Sequence, residues 1–241
     1  MQAFYSPAGR ATVPSVKGQR RTRAVRPGAD ATQDPRQAVR ERIIEATFMV
    51  LMDKGYSGAS TLEIARRARV SKRELYALFG DKQGILATMI AQRTERMVKP
   101  LELPEVSDRK ALIDTLNKFG TNLLKEVTDP AVVAMHRLAI ADADRSPELA
   151  RLLDERGRQA NRTALLAFLT RAKAARLLHG EPEGMCGQFL TALFSDLMLR
   201  LVMGVVPAPS ARVCAERAHA ATAAILGRDA AVAEKVATSS A

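Results

Sequence analysis

The stretch from Ser60 to Leu86, STLEIARRARVSKRELYALFGDKQGIL, decides the fold of this chain. It predicts two short helices joined by a tight turn, followed at once by a third, longer helix. The Ser60 hydroxyl is placed to cap the first helix, with the Glu63 side chain reaching back in a capping box, and Ser71 is placed to cap the second. The apolar side chains recur at helical spacing and are expected to face inward: Ile64, Ala65, Ala68, Val70, Leu75, Leu78 and Phe79.

The outward face of this predicted helix-turn-helix is mainly cationic and carries one phenol. Such a surface suits the phosphates of DNA. Its members are Arg66, Arg67, Arg69, Lys72, Arg73, Glu74, Tyr76 and Lys82.

The stretch resembles the DNA-binding domain of the TetR family of bacterial transcription regulators. The family pattern I-A-x-x-A-x-V-S-K-x-x-L-Y-x-x-F-x-x-K-x-x-I/L is matched by Ile64, Ala65, Ala68, Val70, Ser71, Lys72, Leu75, Tyr76, Phe79, Lys82 and Ile85. The resemblance implies that Tyr76 and Lys82 contact phosphates and that residues 72 to 77 enter the major groove. The residues expected to contact DNA are Ser60, Thr61, Arg69, Ser71, Lys72, Arg73, Glu74, Tyr76 and Lys82.

Three residues depart from the family pattern. Arg69 and Arg73 stand where glycine is usual, and Glu74 stands where threonine is common. Arg69 is expected at a helix end in a left-handed conformation, which costs about 1 kcal/mol relative to glycine. Glu74 is placed to accept from the amino group of cytosine. The operator sequence of relatives is therefore not transferable to this chain.

The composition favours an all-helical protein with a basic front half. The 241 residues are 47% hydrophobic, enough for a sizeable core, and Ala, Leu, Arg and Glu dominate over β-branched and aromatic residues. Residues 1 to 100 carry 19 Lys and Arg against 9 Asp and Glu, and residues 101 to 241 carry 18 against 17, so nearly all of the net charge of +11 lies in the first 100 residues. This asymmetry fits a polyanion partner, although an arginine-rich codon usage is an open alternative.

The chain order predicts five segments. Residues 1–34 form a disordered basic arm, interpreted either as an arm for the minor groove or as a solvated tail. Residues 35–81 form the DNA-binding domain, in which Asp34 caps a first helix from Pro35 to Lys54 that ends at Gly55. Residues 82–100 form a linking helix, 101–228 a ligand-binding and dimerisation domain, and 229–241 a tail.

Caps and helical spacing place the elements of the second domain. Ser107 is expected to start one helix, Asp129 and Pro130 a second, and Ser146 to Glu148 a third that runs to about Ala175. The nearly all-apolar segment from Pro182 to Val205 and the alanine-rich segment from Ala211 to Leu226 predict two final helices that form half of an intermolecular four-helix bundle. A central core helix beside an alanine-rich surface helix is the alternative interpretation.

The segments Arg137–Phe168 and Gln188–Leu199 resemble the C-terminal domain of the AefR-like branch of the TetR family. The resemblance implies a homodimer with an internal pocket. The candidate pocket residues are Phe119, Leu123, Met135, His136, Phe168, Phe189, Phe194 and Met198, each of which can equally be plain core. Such a lining predicts a largely hydrophobic inducer.

Other functions have little support in the sequence. The histidines lie in no metal-binding spacing, no nucleophile motif or phosphate-binding glycine loop occurs, and Asp142 with Asp144 is expected on a solvated face. No cofactor is expected, and Cys186 and Cys214 are expected as buried thiols, with a redox disulfide as the alternative. The apolar stretch from Met185 to Val206 is interrupted by charged residues and is not a credible membrane span.

These observations predict a cytoplasmic, nucleoid-associated repressor that binds a palindromic DNA operator as a homodimer and responds to a small molecule. Two alternatives stay open. One is a helix-turn-helix protein that organises chromosomes or assembles with other proteins without an inducer, and the more distant one is an all-helical enzyme.

Overall fold

The computed structural model describes residues 34–102 and 107–239, with side chains described as far as Asp229. Every regular element in these ranges is helical, so the all-α fold class is confirmed. The basic arm predicted at the start of the chain lies outside the described residues, apart from Asp34. The first four helices are α1 (Pro35–Gly58), α2 (Thr61–Ala68), α3 (Lys72–Phe79) and α4 (Lys82–Val98).

The first helix begins where its sequence predicts, but it does not end at Gly55, since one further turn carries it to Gly58. Asp34 accepts a hydrogen bond from the amide of Arg36 at 3.0 Å, and Pro35 occupies the first helical position, where its missing amide leaves no bond unmade. Gly55, with φ of 73°, interrupts the helical dihedral angles. The next turn carries Tyr56 back into the core, where it is buried.

The helix-turn-helix has the predicted caps. The Ser60 hydroxyl accepts from the amide of Glu63 at 3.2 Å, and the Ser71 hydroxyl accepts from the amide of Glu74 at 3.0 Å. Arg69 ends α2 in the left-handed region, with φ of 55°. The prediction that the Glu63 side chain reaches back to complete a capping box was wrong. The Glu63 carboxylate instead lies 3.2 Å from the ammonium of Lys54.

A short 3-10 turn (Lys99–Glu102) follows α4, and then α5 (Arg109–Val127) and α6 (Pro130–Ala141) cross the molecule. Asp129 caps α6 as predicted, accepting from the amide of Ala131 at 2.9 Å. The cap of α5 is Asp108, which accepts from the amide of Ala111 at 2.7 Å, so the prediction of Ser107 was wrong by one residue.

The third predicted helix of this half is present but irregular. It consists of α7 (Glu148–Leu152), a π-helical segment (Leu153–Gln159) and α8 (Ala160–Ala174). The π segment contains Gly157, and π-helical turns within α-helices occur frequently at functional sites.

The final part of the chain differs from the predicted pair of uninterrupted helices. The apolar segment is broken at Ser195, with φ of 46° and ψ of −124°, into α9 (Pro182–Phe194) and α10 (Leu197–Val202). The end of α10 is capped from α6, since the guanidinium of Arg137 donates to the carbonyls of Leu201 and Val202 at 2.9 and 2.8 Å. Within residues 182–202 an 18-residue window has a mean hydropathy of 1.3, so this segment is long and apolar enough to cross a membrane by length and composition, but the break at Ser195 divides it into two shorter helices.

The last helix, α11 (Ala211–Ser239), does not stop at Gly227, so its predicted end at Leu226 was wrong. It continues into the range 229–241 that was assigned to a tail. The buried Asp229 side chain explains the continuation, because one carboxylate oxygen accepts from the amides of His179 and Gly180 at 2.6 and 2.7 Å. This contact fastens α11 to the loop between α8 and α9.

Two hydrophobic clusters hold these helices together. The first joins α1 to α4 with α6 and α7, and its fully buried members include Ile43, Val50, Leu51, Ile64, Leu75, Ile85, Leu86 and Leu149. The second joins α5, α8, α9 and α11, and its fully buried members include Leu112, Leu116, Phe119, Leu165, Phe168, Phe189 and Leu193. Because α6 contributes Met135 and Ala139 to the first cluster, the helix-turn-helix is packed directly on part of the second half of the chain.

Candidate nucleic-acid interface and internal cavity

The helix-turn-helix presents α3 on an exposed, mostly cationic face. Leu75 is completely buried and fixes the orientation of α3, so the residues before it point outward. Lys72, Arg73 and Glu74 are exposed, as is Tyr76, with 43% of its surface accessible. Four of the residues predicted to contact DNA therefore share one surface on a single helix.

Further predicted residues border this surface from α2. The Tyr76 hydroxyl lies 3.2 Å from the hydroxyl of Thr61, and the ammonium of Lys72 lies 5.6 Å from the centre of the Tyr76 ring. Arg69 is exposed in the turn between the two helices. The start of α2 and the outward face of α3 thus form one continuous patch of hydroxyl and cationic groups. Ser60 and Ser71 lie beside it, and their hydroxyl oxygens accept the capping bonds.

Lys82 is held at the junction of α1 and α4. Its ammonium donates to the Tyr56 carbonyl at 2.7 Å and lies 3.8 Å from the centre of the Tyr56 ring. Burial lowers the pKa of Lys82 from its ordinary value, opposed by the negative charges of Glu148 and Asp142. Lys82 therefore braces the end of α1, and a role as a phosphate contact stays a prediction.

A hydrogen-bonded joint connects the same turn to the end of α6. The carboxylate of Asp142 accepts from the Tyr56 amide at 2.8 Å and from the Ser57 amide at 3.4 Å. The Ser57 hydroxyl also lies 2.9 Å from that of Ser146. The expectation of a solvated face was wrong for Asp142, which is half-buried. Sequence reasoning missed this joint because its partners lie more than 80 positions apart.

A cavity of about 790 Å³ lies between the two hydrophobic clusters and is partly open to the surface, where exposed residues such as Glu45, Ile140 and Leu199 line it. It is lined by α1, α4, α5, α6, the π segment, α8, α9 and α10, and most of the lining is apolar. Five of the eight predicted pocket residues line it: Leu123, Met135, His136, Phe194 and Met198. Lining residues that were not predicted include Ile44, Phe48, Leu86, Met89, Ile90, Thr94, Met97, Val132, Asn161 and Leu190.

The other three predicted pocket residues do not line this cavity. Phe119, Phe168 and Phe189 are completely buried in the second hydrophobic cluster, and the rings of Phe119 and Phe189 lie 6.1 Å apart. Their assignment to the pocket is corrected, because helical spacing indicates that a side chain faces inward but not whether its neighbours fill the space around it.

Besides the charged Glu45, Arg93, Arg96 and Arg158, the polar lining residues of the cavity are Gln92, Thr94, His136 and Asn161. Thr94 is buried and donates to the Arg156 carbonyl at 2.8 Å. Asn161 donates through its amide nitrogen to the Gly157 carbonyl at 2.9 Å. Across the cavity on α6, Nδ1 of His136 lies 2.9 Å from the carbonyl of Val132.

The two cysteines lie in the interior. Cys186 and Cys214 are unbridged and almost fully buried, and burial raises the pKa of both thiols. Among the side chains that the structure describes, in residues 34–102 and 107–229, no cluster of three His, Cys, Asp or Glu is placed to hold a metal ion.

Two family descriptions match separate parts of the chain. Residues 43–89 match the description "Bacterial regulatory proteins, tetR family", and residues 114–230 match "AefR-like transcriptional repressor, C-terminal domain". The first range contains the helix-turn-helix, and the second contains α6 to α10 with most of α5.

Individual proteins show the same similarity. YvkB, an uncharacterised HTH-type transcriptional regulator of Bacillus subtilis, is 33% identical over 87 residues, which cover 36% of this chain and 44% of YvkB. The matches to the sequence relatives thus span about half of the length of those relatives. A TetR transcriptional regulator from Agrobacterium tumefaciens has 29% identity and a TM-score of 0.64, covering 81% of this chain and 94% of that structure. The flavonoid-responsive regulator FrrA has 29% identity and a TM-score of 0.62, covering 79% of this chain and 96% of that structure.

Proposed function

Because this chain belongs to the TetR family of transcription regulators, we propose that it represses transcription by binding a palindromic operator as a homodimer. A small, largely hydrophobic molecule bound in the internal cavity releases the DNA. The protein acts in the cytoplasm, and family membership favours this regulatory role over an enzyme. The observation that carries the proposal is the exposed patch on α2 and α3, which belongs to the same compact unit as a largely apolar cavity.

In this proposal α3 enters the major groove. Lys72 and Tyr76 contact phosphates, and Arg73 and Glu74 face the base edges. A carboxylate at Glu74 accepts from the amino group of cytosine, so this residue contributes sequence preference rather than general affinity. Arg69 supplies a further phosphate contact from the turn, which offsets the strain of its left-handed backbone.

Two copies of the chain pair through α9 and α11. The exposed positions of these helices include several small residues beside charged ones such as Arg212 and Glu216, and a side chain added at Gly184, Gly187 or Gly227 would meet no atom within 4 Å apart from its chain neighbours and its own helix backbone. Ala223 and Ala224 are exposed beside them on α11. Small side chains allow the backbones of two helices to approach closely, which favours an intermolecular four-helix bundle on this face. The pairing places two α3 helices about 34–36 Å apart, so the operator is an inverted repeat.

The cavity supports a small-molecule effector. Its apolar lining and few polar groups have the character of ligand sites, and its volume falls within the usual range of about 300–1,000 Å³. Eight lining residues lie on α4, the helix that begins beside the DNA-binding surface. The structurally similar protein FrrA is described as a flavonoid-responsive regulator. This similarity supports an effector of low polarity for the present chain.

The DNA-binding proposal is tested by selecting oligonucleotides with the purified full-length protein. The expected result is enrichment of an inverted repeat. On the selected site, Lys72→Ala is expected to weaken binding to all sequences and to lower the salt slope by about one unit, while Glu74→Ala relaxes preference at one base pair in each half-site. Lys118→Ala, which removes an exposed lysine of α5, is the matched control. Enrichment of no inverted repeat would refute the proposal, and dispersed binding across the genome would favour the architectural alternative.

The dimer is tested by sedimentation at micromolar concentration. The wild-type protein is expected to be dimeric, and Ala224→Arg is expected to yield monomers because it places a charge in the paired face. Ala167→Arg introduces the same residue at an exposed position of α8 and is expected to leave the dimer intact. A wild-type monomer, or a dimer insensitive to Ala224→Arg, contradicts the assigned face.

A further inference from the structure

We propose that the ligand of the cavity is an uncharged, largely apolar molecule that donates hydrogen bonds to Asn161 and His136, as a polyphenol does. This inference rests on the proposed function only in placing the effector in this cavity. It is drawn from the hydrogen-bonding state of these two side chains and from the charges around them.

The orientation of the Asn161 amide is fixed by its neighbours. Its nitrogen lies 2.9 Å from the Gly157 carbonyl and 3.2 Å from the sulfur of Met97, and both of these atoms accept hydrogen bonds. A carbonyl oxygen cannot donate, so the NH₂ group of Asn161 must face Gly157, and Oδ1 must be the other atom. Oδ1 is buried and has no hydrogen-bond partner among the described residues. A buried acceptor without a donor is unfavourable, and a ligand that supplies the donor removes that penalty.

Met97 is a flexible neighbour of the Asn161 side chain. Met97 lines the cavity next to Asn161, and its contact with the amide is a weak hydrogen bond to sulfur. Methionine is unbranched and adapts its conformation readily. Met97 is therefore the neighbour of the Asn161 amide whose side chain can change conformation to admit a ligand hydroxyl beside that amide, with the backbone of the π segment unchanged.

His136 presents the second acceptor from α6. Its Nδ1 lies 2.9 Å from the carbonyl of Val132, and because that carbonyl can only accept, Nδ1 carries the hydrogen in the neutral ring. The lone pair then lies on Nε2, and His136 is one of the lining residues. Asn161 on α8 and His136 on α6 thus present two acceptors in addition to Glu45 and Gln92 of the lining, and a ligand that supplies donors to both of them matches the cavity.

The cations around the cavity are already paired with protein carboxylates. Arg93 lies 3.1 Å from Glu126 and 3.3 Å from Asp129, Arg96 lies 2.9 Å from Glu126, and Arg158 pairs with Asp154. These three arginines are the cations among the described lining residues, and Glu45 adds a negative charge. A carboxylate or phosphate ligand would therefore have to compete with Glu126, Asp129 or Asp154 for these guanidinium groups, or remain unpaired against the apolar lining. The arrangement therefore selects a neutral ligand over a fatty acid or an acyl phosphate.

The test compares three probes by titration calorimetry on the full-length protein. Apigenin carries three phenolic hydroxyls, its trimethyl ether has the same ring system without donors, and dodecanoate is apolar with a negative charge. Apigenin is expected to bind with a Kd between about 1 μM and 100 μM, and the trimethyl ether at least about tenfold more weakly. Dodecanoate is expected to bind more weakly than apigenin. Equal affinity for the two flavones, tighter binding of dodecanoate, or no binding of apigenin overturns the inference.

Variants assign the two acceptors. Asn161→Leu keeps the approximate shape and removes Oδ1, so it is expected to weaken apigenin binding about tenfold and to leave the trimethyl ether unaffected. His136→Phe is also expected to weaken apigenin binding and to leave binding of the trimethyl ether unaffected. It provides a second measurement that does not depend on whether the Asn161→Leu protein folds correctly. Asn122→Leu, which changes an asparagine outside the cavity, is the matched control and should change neither affinity. An equal loss of affinity for apigenin and for its trimethyl ether in both cavity variants would refute the role of the two acceptors.

The outcome is separable from that of the proposed function. DNA selection is carried out without ligand, so its failure would refute operator binding and leave the calorimetric result intact. Conversely, tight binding of dodecanoate would overturn the neutral donor ligand and leave an effector-responsive regulator standing.

Discussion

Asp229 is the residue whose removal most sharply tests the packing of the last helix. Its side chain is completely buried, and one oxygen accepts from the amides of His179 and Gly180 at 2.6 and 2.7 Å. The other oxygen lies 3.7 Å from the guanidinium of Arg109. Asp229→Ala leaves the two amides without their acceptor at a site that joins α11 to the loop before α9.

The magnitude follows from these contacts. Hydrogen bonds to a charged group contribute about 1.5–3 kcal/mol each, and the variant also avoids the desolvation of a buried carboxylate, which offsets part of the loss. We expect Asp229→Ala to lower the free energy of unfolding by about 2–4 kcal/mol. Asp229→Asn keeps one carbonyl oxygen for the two amides and is expected to lose about 1–2 kcal/mol.

The assay is urea unfolding followed by circular dichroism, since the chain contains no tryptophan. Protein concentration is held constant because dimerisation contributes to apparent stability. The control is Asp114→Ala on α5, where the carboxylate is 51% exposed and pairs with Lys110 at 3.6 Å. An exposed pair contributes about 0.3–0.5 kcal/mol, so this variant should be nearly neutral. A difference of less than about 0.5 kcal/mol between the Asp229→Ala protein and the control would refute the anchoring of α11.

Three further predictions use the same purified protein. Gly120→Val should lower the free energy of unfolding by about 1–3 kcal/mol in urea, because a Cβ at this position lies 2.9 Å from the nearest side chain of α11; unchanged stability would contradict that close packing. Cys186 and Cys214 are buried with raised pKa values, so mass spectrometry should find neither thiol alkylated by iodoacetamide near neutral pH until the protein unfolds, and rapid alkylation would argue for an exposed thiol. Asp142→Ala should increase the rate of hydrogen exchange at the Tyr56 amide and leave the exchange of the α9 amides unchanged. Equal exchange of the Tyr56 amide in the wild-type and variant proteins would show that the hydrogen bond between Asp142 and Tyr56 is not formed.

The parts of the fold that the sequence predicts correctly depend on short-range contacts. Asp34, Ser60 and Ser71 each accept a hydrogen bond from an amide two or three positions further along the chain. The left-handed backbone of Arg69 likewise follows from its place in the tight turn after α2. Such features involve few residues and carry recognisable side chains, so the pattern of the helix-turn-helix is sufficient to place them.

The parts that the sequence does not predict depend on partners far along the chain. The Asp142 carboxylate binds an amide 86 positions away, and the Asp229 carboxylate binds amides 49 and 50 positions away. Local pattern alone assigned one of these aspartates to a solvated face and the other to a tail. The end of α10 is similar, because its last carbonyls accept hydrogen bonds from Arg137, which lies more than 60 positions earlier on α6.

The candidate site divides in the same way. Tyr76 and the cations of α3 are exposed as predicted, since helical spacing decides which residues face outward from a short helix whose Leu75 is buried. The cavity is different, because its existence depends on how eight elements leave space between them. Asn161 was not among the predicted pocket residues, and its free oxygen becomes visible only when Gly157 and Met97 are placed around it.

The position of α6 connects the cavity to the DNA-binding surface. His136 and Asp142 lie six residues apart, or about 9 Å along one helix, so the side chain that faces the ligand and the one that holds the turn after α1 belong to a single rigid segment. The same turn supplies the carbonyl that holds Lys82 at the start of α4. A ligand changes DNA binding only if it binds the two arrangements of these helices with different affinity, and moving a population from about 1:99 to 99:1 requires a difference of about 10⁴ in affinity. We infer that this difference arises at α6, because a ligand hydrogen-bonded to His136 cannot shift that helix without also moving Asp142 and the end of α1.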